Sequence, residues 1–191
     1  DFNPNNRPRP LTQGDASDSA LFNRAVQGVY ELGSVFKAFT VAQAMDLGLV
    51  EPDTLVDTKG PLRWGKHKIS DYRDYGAQLS VEKVLIKSSN IGTARLSLMI
   101  GADLQKDFLD RLGLLQATPI EMIEGPTGRP QYPSNWSDIS TMTISYGHGI
   151  STSPVHLAAG YATIVNGGTL VMPTVLKQPA APRGARIISE K

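Results

Sequence analysis

Ser34 and Lys37 stand three residues apart, directly after Gly33 and at the head of a long apolar run. A hydroxyl and an amine at that spacing share one face of a helix. Val35, Phe36, Ala38, Phe39, Val41, Ala42, Ala44, Met45 and Leu47 cover nearly the whole circumference of a helix that stops at Gly48. Such a helix is buried on most sides, and desolvation disfavours a buried ammonium and lowers its pKa. A lysine moved toward neutrality beside a hydroxyl is a general base beside a nucleophile. The spacing also admits a plain reading, in which Ser34 caps the helix and Lys37 snorkels to solvent. Two local features favour chemistry. Gly33 permits a sharp turn that leaves the hydroxyl uncovered, and a helix N-terminus aims free N–H groups where a tetrahedral oxyanion would form.

A second polar knot, Ser88-Ser89-Asn90, sits between two apolar helical runs. It reads either as a helix cap or as a hydroxyl and a carboxamide offered at a helix junction, able to relay a proton and bind a substrate amide. Tyr146-Gly147-His148-Gly149 is a glycine-bracketed turn, and His148 is placed to line a cleft or to serve a surface role. His67, His148 and His156 have no metal-like spacing and no nearby carboxylate pattern. No phosphate-binding glycine loop is present, so neither a metal nor a nucleotide cofactor is implied.

The elements that must position these groups follow from periodicity and punctuation. Residues 1–18 read as extended surface loop, and residues 19–26 as a short amphipathic segment. Short extended pieces are expected at residues 49–52 and 54–57, and the basic cluster at residues 63–68 reads as a solvated loop. Ser80 caps a helix over residues 81–87, and a second helix spans residues 91–100. An amphipathic helix over residues 103–112 stops at Gly113. A helical turn or two is expected at residues 137–144. Ser153 and Pro154 open a helix over residues 155–165 that ends at Asn166-Gly167-Gly168. Thr169-Leu170-Val171-Met172 reads as a strand, and residues 177–191 as a trailing linker.

The totals exclude whole classes. With 191 residues, of which 40% are hydrophobic, the chain can bury one core. Nineteen basic residues against 18 acidic ones leave a net charge of +1, and no basic run points to nucleic acid or an anionic membrane surface. There is no cysteine, which removes disulfides and thiol chemistry. No apolar stretch reaches the ~20 residues of a membrane span.

Taken in order, the glycine-preceded Ser34-Val35-Phe36-Lys37, Ser88-Ser89-Asn90, residues 145–154, Ala158-Ala159-Gly160-Tyr161-Ala162-Thr163 and Asn166-Gly167-Gly168 resemble the transpeptidase domain of the penicillin-binding proteins. The likeness is to class B members, and within them to the division-specific septal transpeptidase of Gram-negative bacteria. It implies an α/β fold of the α+β type, shared with serine β-lactamases, with a helical lobe and an antiparallel sheet lobe. It implies that Ser34 attacks the penultimate carbonyl of a D-Ala–D-Ala stem peptide, or a β-lactam ring. Lys37 then takes the hydroxyl proton, Ser88 relays protons to the leaving group, and Asn90 binds the acyl amide and helps to hold Lys37. Ser89, Tyr146, Gly147 and His148 fall to substrate binding by the same likeness. The implied partners are peptidoglycan stem peptides, β-lactams and membrane proteins of the division complex. The implied location is the inner membrane, with the catalytic domain in the periplasm.

Departures from the family pattern are specific. Leu32 stands where proline is frequent and Val35 where threonine is. The third motif, Lys-Thr/Ser-Gly, is absent: none of the nine lysines precedes Thr-Gly or Ser-Gly. Residues 1–191 are therefore expected to be an internal piece of the domain, with an incomplete sheet lobe and without membrane anchor or pedestal. Two alternatives stand beside the transpeptidase. One is a D,D-carboxypeptidase or β-lactamase-like hydrolase, and the other is a non-catalytic scaffold that keeps the fold.

Overall fold

The structure, a computed structural model, describes residues 3, 5–180 and 184–190. Asp1, Phe2 and Pro4 of the expected N-terminal loop, and residues 181–183 and 191 of the expected linker, lie outside the described residues. A 3-10 turn over Gly33–Phe36 runs directly into helix α1, Lys37–Asp46. α1 buries Phe39, Thr40, Val41, Gln43 and Ala44 as well as Lys37, as its apolar circumference requires. Gly48, at φ +68°, ends it.

Two small antiparallel pairs follow. β1, Leu55–Asp57, pairs with β4, Gln78–Ser80, so that Val56 faces Leu79. β2, Leu62–Trp64, pairs with β3, His67–Ile69, across a turn with Gly65 at φ +55°. The basic cluster expected to be a solvated loop is thus a hairpin. Leu62 and Ile69, paired at its base, are buried, while Arg63, Trp64, His67 and Lys68 toward its tip are exposed.

Helices α2, Val81–Ile86, and α3, Asn90–Ile100, are capped by Ser80 and Ser89, whose hydroxyls accept the Lys83 and Gly92 N–H groups. α3 is the central helix. It buries Ile91, Ala94, Leu96 and Ile100 and packs against α1 and α5, Asp138–Ser145. Helix α4 spans Ala102–Arg111, and α6 spans Pro154–Val165. α6 opens on a capping box in which Ser153 and His156 satisfy each other's backbone N–H groups. Burial lowers the pKa of His156, and its Nε2 lies 2.9 Å from the Gln116 carbonyl. This histidine is a structural one.

Residues 19–26, expected as a short amphipathic segment, form successive turns, in which Asn23 turns the chain back through the Gln27 N–H and side chain. Two expectations are corrected. Thr169 contributes a lone bridge to Arg186 in place of a strand. The presumed linker folds back on the body: Ile187 is buried in the core with Phe108, Leu112 and Leu114, and the Ser189 N–H bonds the Asp46 carboxylate. Apolar burial of Ile187 and Ile188 outweighs the proline and glycine composition around them. No helix among the described residues is long and apolar enough to cross a membrane.

Candidate active site

The site is built where the 3-10 turn passes into α1. Gly33, at φ +62°, occupies the left-handed region that glycine enters without penalty. The Lys37 N–H then closes an i→i+3 bond on the Ser34 carbonyl. In a 3-10 turn, side chains at i and i+3 eclipse, whereas an α-turn leaves them about 60° apart. The local geometry therefore sets Ser34 directly over Lys37. Ser34 is exposed, and its hydroxyl makes no hydrogen bond to the described residues.

Lys37 is the opposite. It is 1% exposed, and its Nζ donates to the Ser88 carbonyl and, at 2.8 Å, to the Ser88 hydroxyl. Desolvation lowers its pKa from 10.5 to about 8, and the Asp71 carboxylate acts weakly in the other direction. A neutral amine has two N–H donors and one lone pair. With both donors turned on Ser88, the lone pair is the remaining direction, available to a proton from a neighbouring hydroxyl.

Ser88 can serve both contacts because its backbone is unusual. At φ +56° it is the one described non-glycine residue with positive φ. It closes α2 as the left-handed residue that usually is glycine, with the Ser89 N–H returning to the Val84 carbonyl. Strain of that kind, of order 1 kcal/mol or more, gathers at functional positions.

Asp71 braces the junction from the hairpin side. Its carboxylate accepts the Ser89 hydroxyl at 2.7 Å and the Ile91 N–H at 3.0 Å. Sequence reasoning missed Asp71. Its motif partners are 18 and 20 residues away, and only the β2–β3 hairpin brings it there. Asn90 lies at the first turn of α3, half-buried, and its amide donates to the Ser70 carbonyl at 3.1 Å.

The remaining candidates divide. Ser89 is fully buried and its hydroxyl is committed to Asp71 and to the Gly92 N–H, so it braces the wall and does not face the cleft. Gly147 is also withdrawn: its N–H bonds the Ile144 carbonyl and its carbonyl accepts the Gly33 N–H at 3.1 Å. A Cβ there would lie 2.1 Å from the Gly33 carbonyl oxygen. Ser89 and Gly147 are thus both engaged within the protein, Ser89 at the α3 cap and Gly147 against the Gly33 turn. Tyr146 is half-buried against Leu62, Ile91 and Met142, and burial raises its phenol pKa. His148 is 69% exposed, with Nδ1 3.0 Å from the Glu31 carboxylate. The second oxygen of Glu31 accepts the Gly149 N–H at 2.7 Å. A carboxylate partner for His148 thus exists after all, hidden from sequence inspection by the 118 residues that separate Glu31 from Gly149. The paired N–H and carbonyl groups of Tyr30 and Thr152 extend this seam.

Among the described residues no cluster of histidine and carboxylate side chains could hold a metal ion. The donor set is instead that of covalent catalysis: an uncovered hydroxyl, a desolvated amine and a second hydroxyl bonded to that amine, with the Asn90 carboxamide turned to the Ser70 carbonyl.

Comparison with known proteins fits this arrangement. The chain is 37% identical over 93% of its length to the probable peptidoglycan D,D-transpeptidase FtsI of Caulobacter vibrioides, covering 30% of that protein. It is 32% identical over 99% of its length to the peptidoglycan D,D-transpeptidase FtsI of Escherichia coli, covering 31%. The chain thus spans about a third of the length of the curated relatives it matches. Among solved structures, the apo transpeptidase domain of penicillin-binding protein 3 from Burkholderia pseudomallei superposes with a TM-score of 0.81 at 35% identity, over 88% of this chain and 51% of that one. The penicillin binding protein transpeptidase domain family matches residues 1–191. The chain belongs to that family and has its mixed helix-and-sheet fold.

Proposed function

We propose that this chain forms the nucleophile-bearing part of a serine D,D-transpeptidase that cross-links peptidoglycan stem peptides during septal wall synthesis. The observation that carries the reading is Lys37, buried and lowered to a pKa of about 8 one turn below an uncovered Ser34. At neutral pH a group with that pKa is deprotonated in about a tenth of molecules, enough for a general base. In the reaction Lys37 accepts the Ser34 hydroxyl proton as Ser34 Oγ attacks the D-Ala–D-Ala carbonyl. The first-turn N–H of Ser34 stabilises the oxyanion. Ser88, already bonded to Lys37, passes the proton to the departing D-alanine nitrogen, and an amine from a second stem then takes the acyl group from Ser34. Asn90 receives the acyl amide, and Tyr146 and His148 line the approach.

β-Lactams enter by the same attack. The rest of the sheet and the third motif belong to segments of a longer protein, tethered at the inner membrane, in the periplasm and among division-complex proteins. The relatives named FtsI support the septal assignment.

Fluorescent penicillin tests the reading in the full-length protein. Label is expected on Ser34, Ser34→Ala is expected to abolish it with the thermal midpoint nearly unchanged, and the adduct is expected to persist. Label that survives Ser34→Ala overturns the nucleophile, and rapid loss of the adduct replaces the transpeptidase with a hydrolase.

A further inference from the structure

Tyr161 lies on α6, 126 residues from Val35 in sequence, yet its phenol donates to the Val35 carbonyl at 2.6 Å. Val35 immediately follows Ser34. The helical ladder of α1 starts at Lys37, so the Val35 carbonyl sits at the join between the 3-10 turn and the α-helix. A carbonyl at that point has a choice. Taken into the α-ladder it would unwind the turn by the ~60° that separates i and i+3 in an α-helix. Held outward by a phenol, it leaves the turn tight and Ser34 eclipsed with Lys37.

The phenol is itself fixed in place. Its ring meets Phe39 edge-on at 5.4 Å, and Phe39 meets Phe36 edge-on at 5.0 Å. Gly160 lets α6 come this close, because a Cβ there would lie 2.8 Å from the Phe39 ring. Phe36 and Phe39 lie on either side of Lys37 in sequence and are buried in the core, so one aromatic stack ties the phenol to the start of α1. Burial raises the Tyr161 pKa, which keeps the phenol a donor.

We propose that Tyr161 is a positioning residue for the acylation step, holding the Ser34 turn in its 3-10 form through the Val35 carbonyl. This rests on the reading of Ser34 as the nucleophile. Tyr161→Phe removes one oxygen and keeps the ring against Phe39. In the full-length protein, the acylation rate constant for a fluorescent penicillin is measured separately from the dissociation constant of the preceding non-covalent complex. The thermal midpoint is measured alongside.

A single well-placed hydrogen bond predicts a fall of about five- to tenfold in the acylation rate constant. The dissociation constant is expected to stay within about twofold and the midpoint within about 2 °C. An acylation rate constant within twofold of the parent overturns the proposal, as does a loss confined to the dissociation constant. If Tyr161→Phe lowers the midpoint by more, the rates are read at a temperature where both proteins are fully folded, and the same two outcomes decide. Failure of the parent protein to label on Ser34 would instead strike the functional reading, so the two failures are distinguishable.

Discussion

The Ser34 turn has two sides, and they are built on different physics. On the inner side, a buried Lys37 amine meets an exposed Ser88 held at φ +56°. On the outer side, Gly33, Gly147 and the Glu31–His148–Gly149 bridge meet near solvent, mostly through backbone groups. The inner side lowers the Lys37 pKa from 10.5 to about 8 by desolvation. The outer side contains an exposed histidine–carboxylate contact worth at most about 1 kcal/mol, and bonds worth about 1 kcal/mol each. The contrast separates two tasks: the inner side sets the reactivity of the pair, and the outer side sets its alignment.

The sharpest way to break that division is to remove the amine. Lys37→Met keeps the length of the side chain and discards the charge. Acylation of Ser34 is expected to fall by about 10²–10⁴-fold, the usual contribution of a positioned base. Stability is expected to change by no more than about 1–2 kcal/mol. Relief of a buried charge offsets the loss of a donor to Ser88. The pH dependence follows from the same displacement. Acylation by the parent should rise with pH and level off above about 8, as Lys37 becomes neutral. Between about 8 and 10.5 the unfolded chain holds a proton that the folded chain has released. Stability contributed by this group therefore increases with pH across that window and is smallest below it. Denaturant titrations at several pH values should show the increase in the parent and not in Lys37→Met. A full acylation rate in the variant would remove the base from the inner side.

The outer side is tested by Gly147→Ala. The new Cβ would press on the Gly33 backbone from a residue at φ +77°. A clash with backbone, added to positive-φ strain, is expected to lower stability by about 2 kcal/mol or more. Acylation should fall at every pH without a shift of the pH midpoint, because Lys37 stays buried. A shifted midpoint would show that the two sides are not separable.

How much of this was legible in the sequence depends on how local each signal is. Ser34 to Lys37 could be read because helix periodicity, a preceding glycine and a hydroxyl–amine spacing all lie within a few residues. Ser80, Ser89 and Ser153 were readable as caps for the same reason, and the structure gives each its backbone N–H partner. Ser89 shows the boundary of such reading. A serine inside a motif looks like a site residue, and only the three-dimensional approach of Asp71 shows it to be a brace. The contacts of Glu31, Asp71 and Tyr161 were not legible because each partner is distant in sequence and each residue type is common. The hairpin at residues 62–69 was obscured by its outward cations, and the tail by the proline and glycine that surround buried Ile187.

Ser88→Gly sharpens the inner side further by separating strain from chemistry. Glycine suits φ +56° better than serine, so the thermal midpoint is expected to rise, by the equivalent of about 0.5–1 kcal/mol. The Ser88 carbonyl stays and only the hydroxyl contact to Lys37 is lost. Acylation is expected to fall by about tenfold, the scale of one hydrogen bond and a relay step. Higher stability with slower chemistry would identify the strained serine as retained for its hydroxyl. An unchanged rate would reduce Ser88 to a backbone acceptor.

The smallest effect should come from Glu31→Gln, and its smallness is the point. Glutamine can still accept the Gly149 N–H through its amide oxygen, so the backbone seam survives the change. What is lost is the charge opposite His148, and both side chains are largely in solvent, 44% and 69% exposed. At ordinary ionic strength such a pair is screened within about 8–10 Å of water and contributes about 0–1 kcal/mol. The midpoint is therefore expected to move by about 2 °C or less, and acylation by less than about threefold. Added salt should narrow even that difference, because it screens the Glu31 carboxylate in the parent and meets no charge at that position in the variant. Glu31→Ala removes the acceptor as well and should behave differently: it frees Gly149, loosens the seam beside Gly33, and falls between Glu31→Gln and Gly147→Ala in rate. If Glu31→Gln and Glu31→Ala lose activity equally and heavily, the charge is what matters. The outer side would then be electrostatic machinery rather than a backbone clamp.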